Sequence, residues 1–219
     1  MYLNFARLGI CYLNLFVFCI EDRLYSQTHK PFHTTINAKC GGYYEYLPSN
    51  YDPSGPKQYP LILFVHGLGD NGNGRMPDLN KVLLSGLPTY IDRNKFPASF
   101  TVNGNQFSFI VISPQFSAWP NAQDVQDVLN YTLAKYKVDV SRIYITGLSM
   151  GGGATWDYAQ SSFTAASGIA AIVPVCGDSD PLAGTPEIIG QANLPVWATH
   201  NSGDPAVLVW KTDGFIDAI

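Results

Sequence analysis

The sequence has few charged residues and no cluster of basic ones. Only 14% of its 219 residues are charged, the formal net charge is −4 and the pI is about 5.4. Proteins that bind the phosphates of nucleic acid concentrate Lys and Arg in a stripe or patch, and no short segment of this chain is polybasic. The composition therefore predicts that nucleic acid is not a partner.

Cysteine and histidine are also scarce, with four of each. There is no CxxC pair and no His/Cys cluster of the kind that holds zinc, so we expect no metal site. Cys11 and Cys19 belong to an apolar N-terminal segment, which leaves Cys40 and Cys176. Cys40 precedes the first strand predicted below, and Cys176 lies at the end of a later one. Two small buried thiols are the expected state, and a disulfide between them is the alternative.

The longest apolar run lies near the N-terminus and is short. Arg7 is followed by apolar residues from Leu8 to Ile20, and Glu21 begins a polar stretch. A bilayer crossing needs roughly 20 apolar residues, whereas a basic residue before a shorter run is typical of a secretory signal. We expect residues 1–26 to be a signal peptide, with cleavage near Ser26, and residues 27–219 to be a secreted or periplasmic catalytic domain without a stable membrane partner. An uncleaved membrane anchor is the alternative.

The rest of the chain alternates apolar runs with segments of helical spacing. The predicted strands are 41–47, 61–65, 107–112, 142–146, 169–175 and 196–199, and helices are predicted around 79–83, 121–136, 151–160 and 210–219. Asn121 is expected to cap the second helix, with Val125, Val128, Leu129, Leu133 and Tyr136 on its buried side. Alternating strands and helices predict one α/β domain built on a doubly wound, mostly parallel sheet. Chemistry is then expected at the carboxyl ends of the strands.

The strongest functional pattern is Gly147-Leu148-Ser149-Met150-Gly151, between a predicted strand and a predicted helix. A serine on such a sharp turn has its hydroxyl raised into the cleft, and glycines on either side remove the Cβ atoms that would collide. Ser149 is therefore the candidate nucleophile. An ordinary glycine-rich turn is the alternative.

The second pattern, His66-Gly67-Leu68-Gly69-Asp70, follows the predicted central strand. Acyl transfer develops negative charge on the carbonyl oxygen, which fixed backbone N–H groups stabilise. We expect the N–H groups of Met150 and Leu68 to form this oxyanion hole. Because His66 immediately precedes the loop, we expect His66 and Gly67 to support the loop rather than to supply the catalytic base.

These two patterns, together with Asn201-Ser202-Gly203-Asp204-Pro205-Ala206-Val207, resemble the α/β-hydrolase superfamily over residues 40–219. The chain is most similar to secreted esterases near the polyhydroxybutyrate depolymerase, feruloyl esterase and dienelactone hydrolase groups. The resemblance implies a serine carboxylic ester hydrolase that forms an acyl-enzyme and needs no metal or organic cofactor. It also implies that Asp204 is the acid of a catalytic triad, with Asp178 and Asp180 as competitors.

The same resemblance requires a histidine after the acid, and the sequence has none there. The four histidines are His29, His33, His66 and His200. His200 as the base would require an unrelated geometry. We therefore expect a C-terminally truncated form that lacks its last strand and histidine loop, and that is nearly inactive by itself.

The remaining expectations concern the substrate and rival functions. Trp119, just past a predicted strand end, is a candidate wall of the substrate pocket, whereas Trp156 is expected to pack in the core. The substrate is expected to be a small-molecule or polymer-linked ester. A prolyl-oligopeptidase-like peptidase domain and a non-catalytic binding protein derived from a hydrolase remain as alternatives.

Overall fold

The computed structural model describes residues 28–219, so the predicted signal peptide lies outside the described residues. The main sheet contains β1 (Thr28–Phe32), β2 (Cys40–Leu47), β3 (Tyr59–Val65), β6 (Ile110–Phe116), β7 (Val138–Leu148) and β8 (Ala171–Val175), and a small hairpin contains β4 (Phe100–Val102) and β5 (Asn105–Phe107). The α-helices are α1 (Gly86–Asp92), α2 (Ala122–Lys135), α3 (Met150–Gln160), α4 (Phe163–Ser167), α5 (Glu187–Gln191) and α6 (Trp210–Ala218). Short 3-10 helices span Leu68–Asp70, Asp78–Leu84 and Pro181–Ala183.

The main sheet has six strands in the order β1-β2-β6-β3-β7-β8. Strands β6, β3, β7 and β8 are mutually parallel, while β2 pairs antiparallel with β6 and β1 antiparallel with β2. The predicted α/β fold with a mostly parallel sheet is therefore confirmed. Its parallel strands all end at one rim, where β7 leads into α3 and β3 leads into the loop that begins at His66.

The core lies between the sheet and helices α2 and α3. Leu61, Leu63 and Val65 alternate along β3 and are fully buried on this side, as the two-residue period of a strand requires. Trp156 of α3 is also fully buried, and it stacks on Phe215 of α6 with ring centroids 4.3 Å apart. The expected core role of Trp156 is confirmed, and this stack fixes α6 against the helix that follows Ser149.

Helix α2 begins as its sequence indicates. The side chain of Asn121 accepts the N–H of Asp124, and the side chain of Asp124 accepts the N–H of Asn121, which completes a capping box. Val125, Val128 and Leu129 are buried, but Leu133 is 36% exposed and Thr132 takes the buried position instead. The prediction for Leu133 was wrong, and Thr132 can take the buried position because its hydroxyl donates to the carbonyl of Val128 at 2.7 Å.

Other boundaries differ from the sequence predictions. The strand predicted at 107–112 is divided, because Phe107 ends the hairpin strand β5 and the sheet strand β6 runs from Ile110 to Phe116. The segment predicted at 79–83 forms a 3-10 helix, and β1 was not predicted. Residues 196–199 do not form a full strand, since they make only two isolated parallel bridges, Ile172 with Val196 and Val175 with Thr199.

One face of the sheet is only partly covered. Helix α1 covers β3 on the side opposite α3, where a Cβ atom on Gly86 would lie 2.2 Å from the ring of Phe64. Beyond α1, the side chains on this face are half-buried or exposed. We call this surface the open face, and it consists of Tyr144, Thr146, Leu148, Val173, Val175 and Trp197.

Among residues 28–219, none of the helices combines the length and the hydrophobicity needed to cross a membrane.

Candidate active site

Ser149 lies on a strained turn between β7 and α3. Its φ and ψ are 55° and −115°, a conformation that residues with a Cβ atom seldom adopt. Its N–H donates to the carbonyl of Val175 at 2.9 Å, and its own carbonyl accepts the N–H of Asp178 at 3.1 Å. The end of β8 and the loop after it therefore hold this turn in place from one side.

The turn lies against β3 because glycines flank the serine. A Cβ atom on Gly151 would lie 1.9 Å from the carbonyl oxygen of Val65, and one on Gly147 would lie 2.3 Å from the carbonyl oxygen of Gly151. Neither contact is possible for a real side chain. The two glycines in the predicted pattern therefore allow α3 to start in contact with the end of β3, as the sharp turn requires.

The loop after β3 lies next to the serine. A Cβ atom on Gly67 would be 3.8 Å from the Cβ atom of Ser149. Leu68 is the first residue of a 3-10 helix, and Met150 is the first residue of α3. The first N–H groups of a helix have no partner within it. The fold therefore brings the two predicted oxyanion donors to neighbouring helix starts, and their role stays a prediction.

His66 is fully buried, and both of its ring nitrogens have partners. Its Nε2 accepts the N–H of Phe116 at 2.9 Å, so in the neutral ring Nδ1 carries the proton and donates to the carbonyl of Gly67 at 2.7 Å. Burial lowers the pKa of His66, which favours this neutral form. The ring ties the loop to β6 and has no free nitrogen with which to act as a base.

Gln115 and Asp70 also brace this loop, and the sequence analysis missed both. The Gln115 side chain is fully buried in β6, where Oε1 accepts the N–H of Gly74 at 2.9 Å and Nε2 donates to the carbonyls of Asp70 and Asp78. The hydroxyl of Ser85 donates to the Asp70 carboxylate at 2.5 Å. A polar residue inside an apolar strand is the signal that could have identified Gln115, because buried amides require partners.

Asp204 lies in a turn after the bridge at Thr199. Its Oδ1 accepts the N–H groups of Val207 and Ala206 at 3.0 and 2.9 Å. These two hydrogen bonds lower the pKa of Asp204, so the carboxylate stays ionised. With Oδ1 satisfied, Oδ2 is the oxygen left to orient a catalytic base.

The competing acids have other partners. The carboxylate of Asp178 is bound by the ammonium group of Lys211 in α6. Asp180 caps the 3-10 helix Pro181–Ala183, because its Oδ1 accepts the N–H of Leu182 at 2.9 Å. All three acids use Oδ1 in these contacts, so the choice of Asp204 over Asp178 and Asp180 stays a prediction.

Cys176 connects the nucleophile to the candidate acid, and the sequence analysis did not place it here. It follows β8 with a positive φ of 39°. Burial is the main cause that raises the pKa of its thiol, the backbone of Ser149 hydrogen-bonds to it, and the negative charge of Asp204 raises the pKa further. The thiol therefore lies beside the backbone of Ser149 and within electrostatic range of Asp204. Cys40 and Cys176 are both free thiols in the structure.

None of the four histidines, all of which lie in the described part of the chain, offers Ser149 a free imidazole. His200 is bonded at both nitrogens, to Thr212 Oγ1 at 2.7 Å and to the Val207 carbonyl at 2.8 Å. His29 lies in β1 and His33 just after it, at the far side of the sheet. Strand β1 is four strands from β7, which is about 19 Å at the usual strand spacing.

The predicted pocket residue Trp119 lies beyond the end of β6 and is 37% exposed. Its carbonyl accepts a hydrogen bond from the Lys39 ammonium group at 2.9 Å. An apolar cavity of about 510 Å³ reaches the turn from the open face and is lined at that end by Leu148 and Val175 rather than by Trp119. The pocket role of Trp119 stays a prediction.

Within residues 28–219, no group of His, Cys, Asp and Glu side chains is arranged to hold a metal ion.

Comparisons with known proteins identify the family of this chain. The model of the Phospholipase/Carboxylesterase family matches residues 52–212. A bifunctional acetylxylan esterase/xylanase of Neocallimastix patriciarum is 25% identical over 175 residues, which is 78% of this chain but 22% of that protein. The chain therefore spans less than a quarter of the length of this curated relative.

Solved structures show the same fold. A thermostable esterase has 25% identity and a TM-score of 0.58, with 90% of this chain and 52% of that chain covered. A feruloyl esterase module from Clostridium thermocellum, complexed with sinapinate, has 19% identity, a TM-score of 0.58 and coverage of 90% and 73%. The family match covers most of the chain, including the turn at Ser149 and the loop after β3. This chain belongs to the Phospholipase/Carboxylesterase family and has the fold of α/β-hydrolase esterases.

Proposed function

We propose that this protein is a serine carboxylic ester hydrolase that works through an acyl-enzyme on Ser149. The observation that carries the proposal is the positive φ of Ser149 at the junction of β7 and α3, with Gly67 beside it. Strained backbone of this kind is retained where a fold needs it for function. Family membership supports an ester as the substrate.

In the proposed reaction, the Ser149 hydroxyl attacks the ester carbonyl while a base takes its proton. The N–H groups of Leu68 and Met150 stabilise the oxyanion, each donor typically giving ~3 kcal/mol. The alcohol leaves with the proton from the base, and water then releases the acid from Ser149 by the same steps. Asp204 orients the base through Oδ2.

The base itself is the missing part of the proposed triad. His66 and His200 use both ring nitrogens in hydrogen bonds to other groups. Because these ring nitrogens are occupied, we propose that the 219 residues by themselves have very low activity unless a base is added. A serine hydroxyl without a base is a poor nucleophile.

The proposed substrates are small-molecule or polymer-linked esters. The names of similar proteins include acetylxylan esterase and feruloyl esterase, so acetyl and aromatic esters are the first to assay.

Secretion or export to the periplasm, with removal of residues 1–26, is part of the same proposal. It fits a substrate attached to an extracellular polymer.

Added imidazole tests the proposal directly, because it can supply the missing base. We expect p-nitrophenyl acetate hydrolysis by the chain to rise with imidazole concentration, to at least about tenfold above the Ser149→Ala variant in the same buffer. The variant measures hydrolysis by imidazole alone. Equal rates for the two proteins at every imidazole concentration would remove Ser149 from its proposed role.

A non-catalytic binding protein is the second candidate, and the occupied histidines favour it. A fluorophosphonate probe in the presence of imidazole separates the two functions. Labelling of Ser149, mapped by mass spectrometry, supports an enzyme, and no labelling of folded protein supports a binding protein. Peptide anilides assayed beside the esters test the peptidase alternative.

A further inference from the structure

His200 is a buried side chain beside the candidate acid with hydrogen bonds at both ring nitrogens. Its side chain is 2% exposed. A backbone carbonyl can only accept, so Nε2 carries the proton and donates to the Val207 carbonyl at 2.8 Å. In the neutral ring Nδ1 then accepts from the Thr212 hydroxyl at 2.7 Å. The hydrogen bonds thus fix one tautomer and use both ring nitrogens.

These bonds join three parts of the fold. The residue before His200, Thr199, is bound to the end of β8, where its carbonyl accepts the N–H of Cys176 at 2.8 Å. Thr212 belongs to α6, which is anchored on α3 by the stack of Phe215 on Trp156. Val207 belongs to the turn of Asp204 and is 5% exposed. The imidazole therefore links the rim of the sheet, the acid turn and α6.

The link acts on Asp204 through Val207. The carbonyl of Val207 is held by His200, and its N–H is held by Oδ1 of Asp204 at 3.0 Å. The other oxygen, Oδ2, lies 3.8 Å from Nε2 of His200, which is too long for a hydrogen bond. His200 thus fixes the turn without taking the oxygen that the proposed mechanism needs.

We propose that His200 is a positioning residue for Asp204. It holds the acid turn through Val207 and leaves Oδ2 without a hydrogen bond to His200, so that this oxygen can orient a catalytic base. The inference rests on the proposed function, because it assigns His200 a role in orienting the acid of that triad. A residue that only stabilised the fold would have no specific connection to Asp204.

A double-mutant cycle tests this connection in the full chain. We expect His200→Ala to lower the Ser149-dependent, imidazole-rescued kcat by about tenfold or more with little change in KM for the ester, since small misplacements of catalytic groups have large effects. In an Asp204→Asn background the same substitution should have almost no further effect. His200→Gln, which keeps a donor toward Val207, should restore part of the rate.

The matched control is His29→Ala, since His29 is also a largely buried imidazole but lies in β1, four strands from β7, with its ring against Tyr44 of β2. It should leave turnover unchanged. An equal loss from His200→Ala with and without the Asp204 carboxylate, or no loss, would overturn the proposal. If His200→Ala does not fold, Thr212→Val removes only the bond to Nδ1 and enters the same cycle.

A second measurement separates failure of this inference from failure of the proposed function. The pKa of Asp204, followed by carbon NMR, should rise in His200→Ala as the turn loosens and the N–H bonds to Oδ1 weaken. It should rise less in His200→Gln, which removes the same imidazole charge but keeps a donor toward Val207. This readout requires no turnover. An unchanged pKa contradicts the role of His200, whereas absence of any Ser149-dependent hydrolysis in the parent chain contradicts the proposed function.

Discussion

Among residues 28–219, five non-glycine residues have positive φ, and three of them are asparagines, which tolerate it. The other two, Ser149 and Cys176, lie at the ends of the neighbouring strands β7 and β8. Both are held by hydrogen bonds that cross between elements, from Ser149 N–H to Val175 and from Cys176 N–H to Thr199. Strained residues of this kind persist only where the surrounding structure fixes them. The backbone strain at Ser149 and Cys176 therefore lies at the proposed active site, and the thiol of Cys176 allows this site to be probed by alkylation.

We expect iodoacetamide to label Cys176 slowly at neutral pH and faster as the pH rises. Burial raises the pKa of this thiol, and only the thiolate reacts. The adduct would lie beside the turn of Ser149, so imidazole-rescued turnover should fall by about tenfold. The measurement is the rate of labelling by peptide mass spectrometry, with turnover assayed on the same samples.

Cys40 is the internal control, because it is fully buried and burial raises its pKa to about 12. It should stay unlabelled until the protein unfolds. The Cys176→Ser variant should lose the sensitivity to iodoacetamide while keeping its turnover. Faster labelling of Cys40 than of Cys176, or full turnover after Cys176 is alkylated, would contradict the geometry.

At the scale of elements, the site depends on how closely α3 approaches β3. The first turn of α3 is Gly-rich because the carbonyls of Val65 and Val175 occupy the space that side chains would need. A Cβ atom on Gly152, for example, would lie 2.6 Å from the carbonyl oxygen of Val175. Close backbone contact, rather than helix propensity, explains these glycines, since glycine inside a helix is otherwise unfavourable.

We expect Gly151→Ala to destabilise the fold by about 3 kcal/mol, because the added methyl group must displace backbone rather than a flexible side chain. The measurement is the free energy of unfolding in urea. Gly203→Ala is the matched control, since a Cβ atom there would have no neighbour within 4 Å. A Gly151→Ala variant as stable as the control would show that α3 does not lie this close to Val65.

At the scale of the whole molecule, the sheet is covered on one side by α2 and α3 but only partly on the other. Parallel strands are normally buried on both faces. Here Val173 is half-buried and Trp197 is 72% exposed. Because Ile172 and Val196 are paired and face the core, their successors Val173 and Trp197 share the open face. A contiguous exposed apolar surface favours the binding of apolar molecules or association with another protein.

We expect Val173→Lys to fold with nearly unchanged stability and to bind less of a hydrophobic fluorescent dye than the parent chain. The neighbouring substitution Ile172→Lys places a charge in the fully buried core, so it should cost about 4 kcal/mol or more. Dye fluorescence and thermal unfolding measure the two effects. Equal destabilisation by both substitutions would mean that the open face is covered in solution.

Local sequence determined much of this protein. The glycines around Ser149, the capping box of α2 and the apolar run of β3 each specify their own backbone, because the steric and hydrogen-bonding requirements lie within a few residues. These patterns predicted the fold class and the turn that carries the nucleophile candidate. They failed where a neighbour from elsewhere in the chain decides, as at Leu133, at residues 107–112 and at residues 196–199.

Only the tertiary structure decided which polar groups are already occupied. The sequence predicted that His66 supports its loop and made His200 an improbable base, but only the fold shows which groups occupy the two ring nitrogens of each. Likewise, Asp178 and Asp204 differ in chemistry because Lys211 reaches one of them and backbone N–H groups reach the other. Hydrogen bonding between distant residues is a property of packing, which no local pattern in the chain encodes.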